Sequence, residues 1–345
     1  MSNNGQSQAP SELLELHPPP MAESRVSAKA RRGRPWLLAL ALFCLTIIST
    51  LAVGAQFSRA FSQNQPPFSS DENPFGEIFQ AFGHPQTILL GIPFSFTLMG
   101  ILLAHELGHY FACRLYGIDA SYPYFIPAPT IIGTMGAFIR IRSPIINRKA
   151  LFDVGLSGPV VGFVFAIPAL ALGIIYSKVV PGAQANSSII FGNPPLVKFL
   201  IALLRPGVSA ESLLLHPVGR AAWVGLFATA LNLLPAGQLD GGHIVYSIAS
   251  EQHRRISVAV ALVLFLLGAP AILHTLGVPI PPALAGQWPG WAVWGMLLLF
   301  LGFRHPPLLD RWEPLDFPRR IWALVAFAVF CLCFTPVPFA FPGAV

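Results

Sequence analysis

Long apolar runs alternate along the chain with short polar segments rich in proline and glycine. Runs near the roughly 20 residues needed to cross hydrocarbon fall at about 36–54, 88–113, 151–176, 218–234, 256–276, 288–303 and 320–341. They predict about seven transmembrane helices. Residues 118–150 break this pattern, beginning uncharged and proline-rich and then alternating as AFIRIRS. The period of two over Ala137–Ser143 predicts a short extended strand or hairpin, with turn freedom from Gly133 and Gly136. An amphipathic cytoplasmic loop whose Arg140 and Arg142 meet lipid headgroups accounts for the same residues equally well. The expected fold class is an all-α polytopic membrane protein with a short membrane-associated β segment.

Composition strengthens the membrane reading. Of 345 residues, 54% are hydrophobic and 10% charged, against about 25% charged in an ordinary soluble domain. The 34 prolines and 30 glycines predict broken helices and buried loops, which a bilayer tolerates where neighbouring protein satisfies the freed backbone groups. A net charge of +6 points to nucleic acid in a soluble protein, but here the basic residues sort by topology. With the N-terminus in the cytoplasm, 16 of the 21 lysines and arginines lie in inside segments. Arg59, Lys178, Lys198, Arg205 and Arg220 lie outside. This is the positive-inside distribution, and no nucleic-acid partner is expected.

The expected organisation has four parts. Residues 1–35, with Pro18–Pro20 and KARRGR, form a disordered cytoplasmic tail. A plastid transit peptide is the rival, weakened by Glu12, Glu15 and Glu23. Residues 36–87 form the first transmembrane helix and an outside loop, 88–250 a central core, and 251–345 the C-terminal transmembrane helices. Outside segments 55–87 and 177–217 are too short for a sizeable folded domain. Cys44, Cys113, Cys331 and Cys333 lie in apolar runs without ligand spacing and are read as free thiols.

Chemistry enters at GILLAHELGHYFAC, residues 100–113. In a helix His105 and His109 share one face, so both imidazoles can bind one metal ion with Glu106 beside them, the H-E-x-x-H pattern. The plain structural alternative is polar groups gluing helices together, but buried carboxylates in membrane segments are expensive and usually functional. Catalytic zinc takes three protein ligands, so a third is needed. Asp240, in NLLPAGQLDGGH, follows a helix break at Pro235 and Gly237 and precedes Gly241 and Gly242. The second and fourth spans run in the same direction, so both motifs arrive at the same depth. Asp240 is thus a candidate ligand, with helix N-cap as its alternative. Asn232 can bond a substrate backbone or a developing oxyanion, or satisfy the interrupted helix. His243 is a candidate neighbour of the metal or a structural histidine. Asp153 is expected to complement the dipole of the third span, and Gly158 and Gly162 to form a small-residue packing face. His84, His216, His253, His274 and His305 are left without a role.

Together HELGH and NLLPAGQLDGGH resemble the two signatures of the site-2 protease family, intramembrane zinc metalloproteases that cut substrates within or beside a transmembrane helix. The resemblance extends through GTMGAFIRIRSPIINRKALFDVGLSGPVVGF, covers about residues 90–250, and looks most like the PDZ-less branch of bacteria and chloroplast thylakoids. It implies one zinc ion on His105, His109 and Asp240, and Glu106 as catalytic acid/base. Asn232 and Pro235 belong to the second signature. Gly237 stands where many members carry a second proline. The GAFIRIRS stretch corresponds to a β segment thought to engage substrate as an added strand, implying substrate contacts at Gly136, Phe138, Ile139 and Arg140. The expected partners are a membrane-embedded, single-span protein substrate and the lipid bilayer. The expected location is a bacterial cell membrane, with a chloroplast membrane as alternative. Metal transport and a non-proteolytic scaffold or chaperone are the competing functions; a transporter would distribute its ligands along a conduction path.

Overall fold

A computed structural model describes residues 35–68, 85–182, 187–281, 286–301 and 313–341, with positions 284, 305, 306, 308 and 310 between them. The tail expected over residues 1–35 therefore lies almost wholly outside the described residues. Nine principal helices carry the described chain: α1 Pro35–Ser62, α2 Ile92–Leu115, α3 Arg148–Ile175, α4 Pro195–Leu204, α5 Pro217–Asn232, α6 Asp240–Ile248, α7 His253–Thr275, α8 Gly290–Leu301 and α9 Phe317–Cys333. Among the described residues, four helical stretches are long and apolar enough to cross a membrane: Trp36–Ser62, Gln86–Leu115, Arg148–Ile175 and His253–Thr275. The other three expected spans correspond to α5, α8 and α9, which have 16, 12 and 17 residues. The fourth predicted run ends where the chain leaves helix at Asn232, and the outside segment 177–217 contains the additional apolar helix α4.

The core forms around α3, on which α2, α5 and α6 all pack. Its interior is filled by Leu98, Phe152, Leu170, Trp223 and Leu226, each fully or almost fully buried. Pro159 and Pro168 lie inside α3. Close backbone approach explains the glycines where the helices meet. An ideal Cβ on Gly108 of α2 would lie 2.6 Å from the Ser157 carbonyl oxygen of α3, and one on Gly173 would lie 2.1 Å from Gly219 Cα of α5.

The extended segment is a hairpin of β1, Tyr124–Pro127, and β2, Thr134–Phe138, in antiparallel register with Tyr124 opposite Phe138 and Phe125 opposite Ala137. The regular strand thus lies N-terminal to the Ala137–Ser143 expected from alternation, because the bonded partner runs only through Tyr124–Pro127. Pairing resumes beyond the break, where Ser121 N–H donates to Arg140 O and Arg142 N–H to Asp119 O. The turn packs against the middle of α1: Ser49 Oγ donates to Gly133 O at 2.7 Å, and a Cβ on Gly133, where φ is +84°, would strike Ser49 O at 2.9 Å. Non-helical backbone beside an apolar helix needs such internal partners.

Loop contacts sort into two sets. In one, Asp310 N–H donates to Ile146 O, Arg148 Nη2 to Ser250 Oγ, Lys149 pairs with Glu313, and Arg319 with Asp153. In the other, Lys178 reaches Phe61 O and Asn64, β3 Lys178–Val179 pairs with β5 Leu213–Leu214, and β4 Ile190–Phe191 pairs with β6 Phe339–Ala340. Asp153, expected to complement a helix dipole, instead accepts from Arg319 Nε at 2.9 Å and from the Tyr116 hydroxyl. This ties α9 to α2 and α3.

Candidate metal centre and active site

His105 and His109 lie one turn apart on α2, and Asp240 is the first residue of α6. Their ligand atoms form a triangle. His105 Nε2 and His109 Nε2 are 3.1 Å apart, and Asp240 Oδ2 lies 3.2 Å from the first and 3.3 Å from the second. A tetrahedral ion with ligands at about 2.0–2.1 Å has ligand-to-ligand edges of about 3.3 Å. The donor set fits that edge on all three sides. It is also chemically apt, two imidazoles and one carboxylate being a common catalytic zinc set.

Electrostatics agrees with the geometry. His105, Glu106 and His109 are 5%, 4% and 7% exposed, so water solvates them poorly. Among the described residues neither Glu106 nor Asp240 has a lysine or arginine partner within ion-pair distance. Two carboxylates in such surroundings need positive charge, and a divalent cation supplies it. His109 Nδ1 lies 2.7 Å from Val154 O; it donates there, which leaves the Nε2 lone pair for the shared centre. Asn232 Nδ2 stands 3.3 Å from His105 Nε2 and adds a fourth polar atom at the same place.

Space for the imidazoles comes from α3. An ideal Cβ on Gly158 would lie 2.1 Å from His109 Nε2, and one on Gly162 would lie 3.1 Å from His105 Nδ1. The glycines expected to form a packing face therefore also make room for the two histidines. Antiparallel helices place His109 opposite Gly158 and His105 opposite Gly162. The matched spacing of four was present in the sequence, but its partner was unknown without the packing of α2 on α3.

Asp240 is positioned by a turn. Gly237, at φ +57°, donates its N–H to Ser257 Oγ at 3.1 Å, and its carbonyl accepts from His253 Nε2 at 3.1 Å. Proline is incompatible with that positive φ, which accounts for glycine at this position. Gly241 and Gly242 let α6 start directly beneath the turn: Cβ atoms there would come within 2.1 Å of Leu233 O and 2.4 Å of Gly237 O. The N-cap position of α6 belongs to Leu239.

A cavity of about 220 Å³ opens on the triangle and is lined by Glu106, Ala137, Phe138, Ile139, Ile141, Asn232, Gln238, Leu239 and His243 with the three candidate ligands. Phe138 and Ile139 thus join the site, whereas Gly136 lines an adjacent apolar cavity of about 340 Å³ between α2, α5 and the hairpin. Pro235 shapes the turn without lining the site cavity, and Arg140 is exposed beside it. His243 lines the cavity and bonds His305, and burial holds its imidazole down at about 4. Neither Gln238 nor His305 had been singled out for this site, because no local spacing links either to the H-E-x-x-H helix.

Comparison with known proteins gives a concordant result. The probable zinc metalloprotease EGY1, chloroplastic, of Arabidopsis thaliana is 32% identical over 253 residues, covering 69% of this chain and 45% of the relative. The probable zinc metalloprotease EGY2, chloroplastic, of the same plant is 28% identical over 296 residues, covering 82% and 47%. EGY1 of Oryza sativa subsp. japonica, of the same description, is 30% identical over 222 residues, covering 60% and 37%. The chain spans less than half the length of these curated relatives. Residues 93–270, which hold both motifs and the glycines between them, match the family described as Peptidase family M50. This chain therefore belongs to peptidase family M50, the site-2 protease family that its motifs resemble.

Proposed function

We propose that the chain is an intramembrane zinc-dependent endopeptidase that hydrolyses a peptide bond within or near a transmembrane segment of a membrane protein. The observation that carries this reading is the 3.1–3.3 Å triangle of His105, His109 and Asp240 opening on a cavity that Glu106 lines. His105, His109 and Asp240 hold one zinc ion. When bound, zinc supplies Lewis acidity that polarises a carbonyl and makes water acidic near neutral pH.

The chain's own groups do the rest. Glu106 takes a proton from the attacking water on its carboxylate and returns it to the leaving amine. Asn232 hydrogen-bonds the reacting carbonyl or its neighbour. Helical peptide bonds are shielded by their own hydrogen bonds, so the scissile segment must be extended. Ala137 and Phe138 at the end of β2, with Ile139 just after it, line the cavity, and strand addition to this segment holds the substrate open. The substrate is a membrane-embedded protein with a single span, presented from the bilayer.

Seven passes with the N-terminus inside are supported by the charge distribution and by the two separate sets of loop contacts, each joining segments assigned to one side. The location is a bacterial or chloroplast-type membrane; relatives named chloroplastic support the second. Against transport, the histidines and acids able to hold a metal form one group among the described residues rather than a path.

The test uses the full chain in proteoliposomes with single-span membrane proteins and a quenched fluorogenic apolar peptide interrupted by glycine. Glu106→Gln should abolish cleavage while keeping folding and zinc content, and Asp240→Ala should sharply reduce bound zinc. Undiminished cleavage by the folded Glu106→Gln protein would sink the proposal.

A further inference from the structure

His243 lines the site cavity and pairs with His305 behind it in a chain of hydrogen bonds that runs in one direction. His305 Nδ1 lies 2.8 Å from Pro306 O, an atom that can only accept, so Nδ1 carries the proton and Nε2 the lone pair. His243 Nδ1 lies 2.8 Å from that Nε2 and must therefore donate. In the neutral ring this leaves the lone pair on His243 Nε2, which has no hydrogen-bond partner among the described residues, on a side chain that lines the cavity. Tyr246 stacks on the His305 ring, with centroids 4.0 Å apart and planes at 20°, and locks its orientation. The relay thus runs from Pro306 through His305 and ends as an acceptor in the site.

We propose that His243 Nε2 accepts a main-chain N–H of the extended substrate, and that His305 is the positioning residue that keeps Nε2 an acceptor. The argument is one of edges. A peptide strand added to β2 is satisfied along one edge and leaves N–H groups along the other, which faces α6. In a water-poor cavity an unmet N–H is costly. His243, on the α6 side, supplies an acceptor where that second edge passes. His305 lies beyond residues 93–270, the stretch matched to the family, so the C-terminal part of the chain completes a site whose metal set lies wholly within that stretch.

This inference rests on the proteolytic reading, and the experiment separates the two. Cleavage of the fluorogenic peptide by wild type and by Glu106→Gln judges the reading itself. His305→Leu removes the acceptor for His243 Nδ1; KM should rise about fivefold, the size of one neutral hydrogen bond, with kcat changed less than about twofold and zinc content unchanged. His305→Gln, whose side-chain oxygen can accept from His243, should restore KM. Binding of a non-quenched labelled peptide to the full chain carrying Glu106→Gln, with and without His305→Leu, should show the same loss in Kd without any turnover. Unchanged KM and Kd in the leucine variant overturn the proposal. So does a glutamine variant as impaired as leucine, or loss of zinc in either. If Glu106→Gln cleaves like wild type, the proteolytic reading falls, and the Kd comparison still decides the role of His305.

Discussion

The two halves of the candidate zinc site are built by different means. His105 and His109 stand inside a regular helix whose backbone is satisfied locally, and their precision comes from the i, i+4 spacing and a glycine surface on α3. Asp240 stands at the start of a nine-residue helix after an irregular turn, held by Ser257 and His253 from a later helix. The first half is rigid by secondary structure and vulnerable to crowding. The second is rigid by tertiary hydrogen bonds and vulnerable to their loss. Damage to the first should act on zinc directly; damage to the second should act first on stability.

Gly158→Ala should have the largest effect. Its Cβ would lie 2.1 Å from His109 Nε2, so the imidazole must leave its place. Zinc content of the purified protein should collapse and cleavage fall about 100-fold, the upper range for losing the support of a ligand. Full zinc in the folded variant would show that α3 does not shape this half. Ser257→Ala should be next. It leaves the buried Gly237 N–H without an acceptor, at a cost of about 1–3 kcal/mol. A lowered Tm in detergent should accompany a zinc affinity reduced by less than tenfold; a large zinc loss at unchanged Tm would reverse the contrast between the halves. Gly237→Ala should be the mildest, costing about 1 kcal/mol for a side chain at positive φ. Thermal melts would check it, and a loss exceeding that of Ser257→Ala would show that backbone strain, rather than the hydrogen bond, governs the turn.

Much of this was legible in residues alone where the determinants are local. Among the described residues, four of the seven apolar runs are helices long enough to span, while α5 and α9 are shorter because the chain turns out of helix within the predicted run. The alternation of AFIRIRS located extended backbone, but the strand boundaries moved because pairing partners, not periodicity, decide where a strand is bonded. Asp153 looked like a dipole partner until Arg319, 166 residues away, was seen beside it.

By itself the sequence determined the membrane character, the pairing of His105 with His109 on one helical face, and Glu106 beside them, because periodicity and hydropathy are properties of neighbouring residues. Only the tertiary structure decided how closely Asp240 approaches both imidazoles, which glycines make room for them, and that His305 stands behind His243. Those relations depend on the packing of helices distant along the chain, and no local pattern encodes the contact between them.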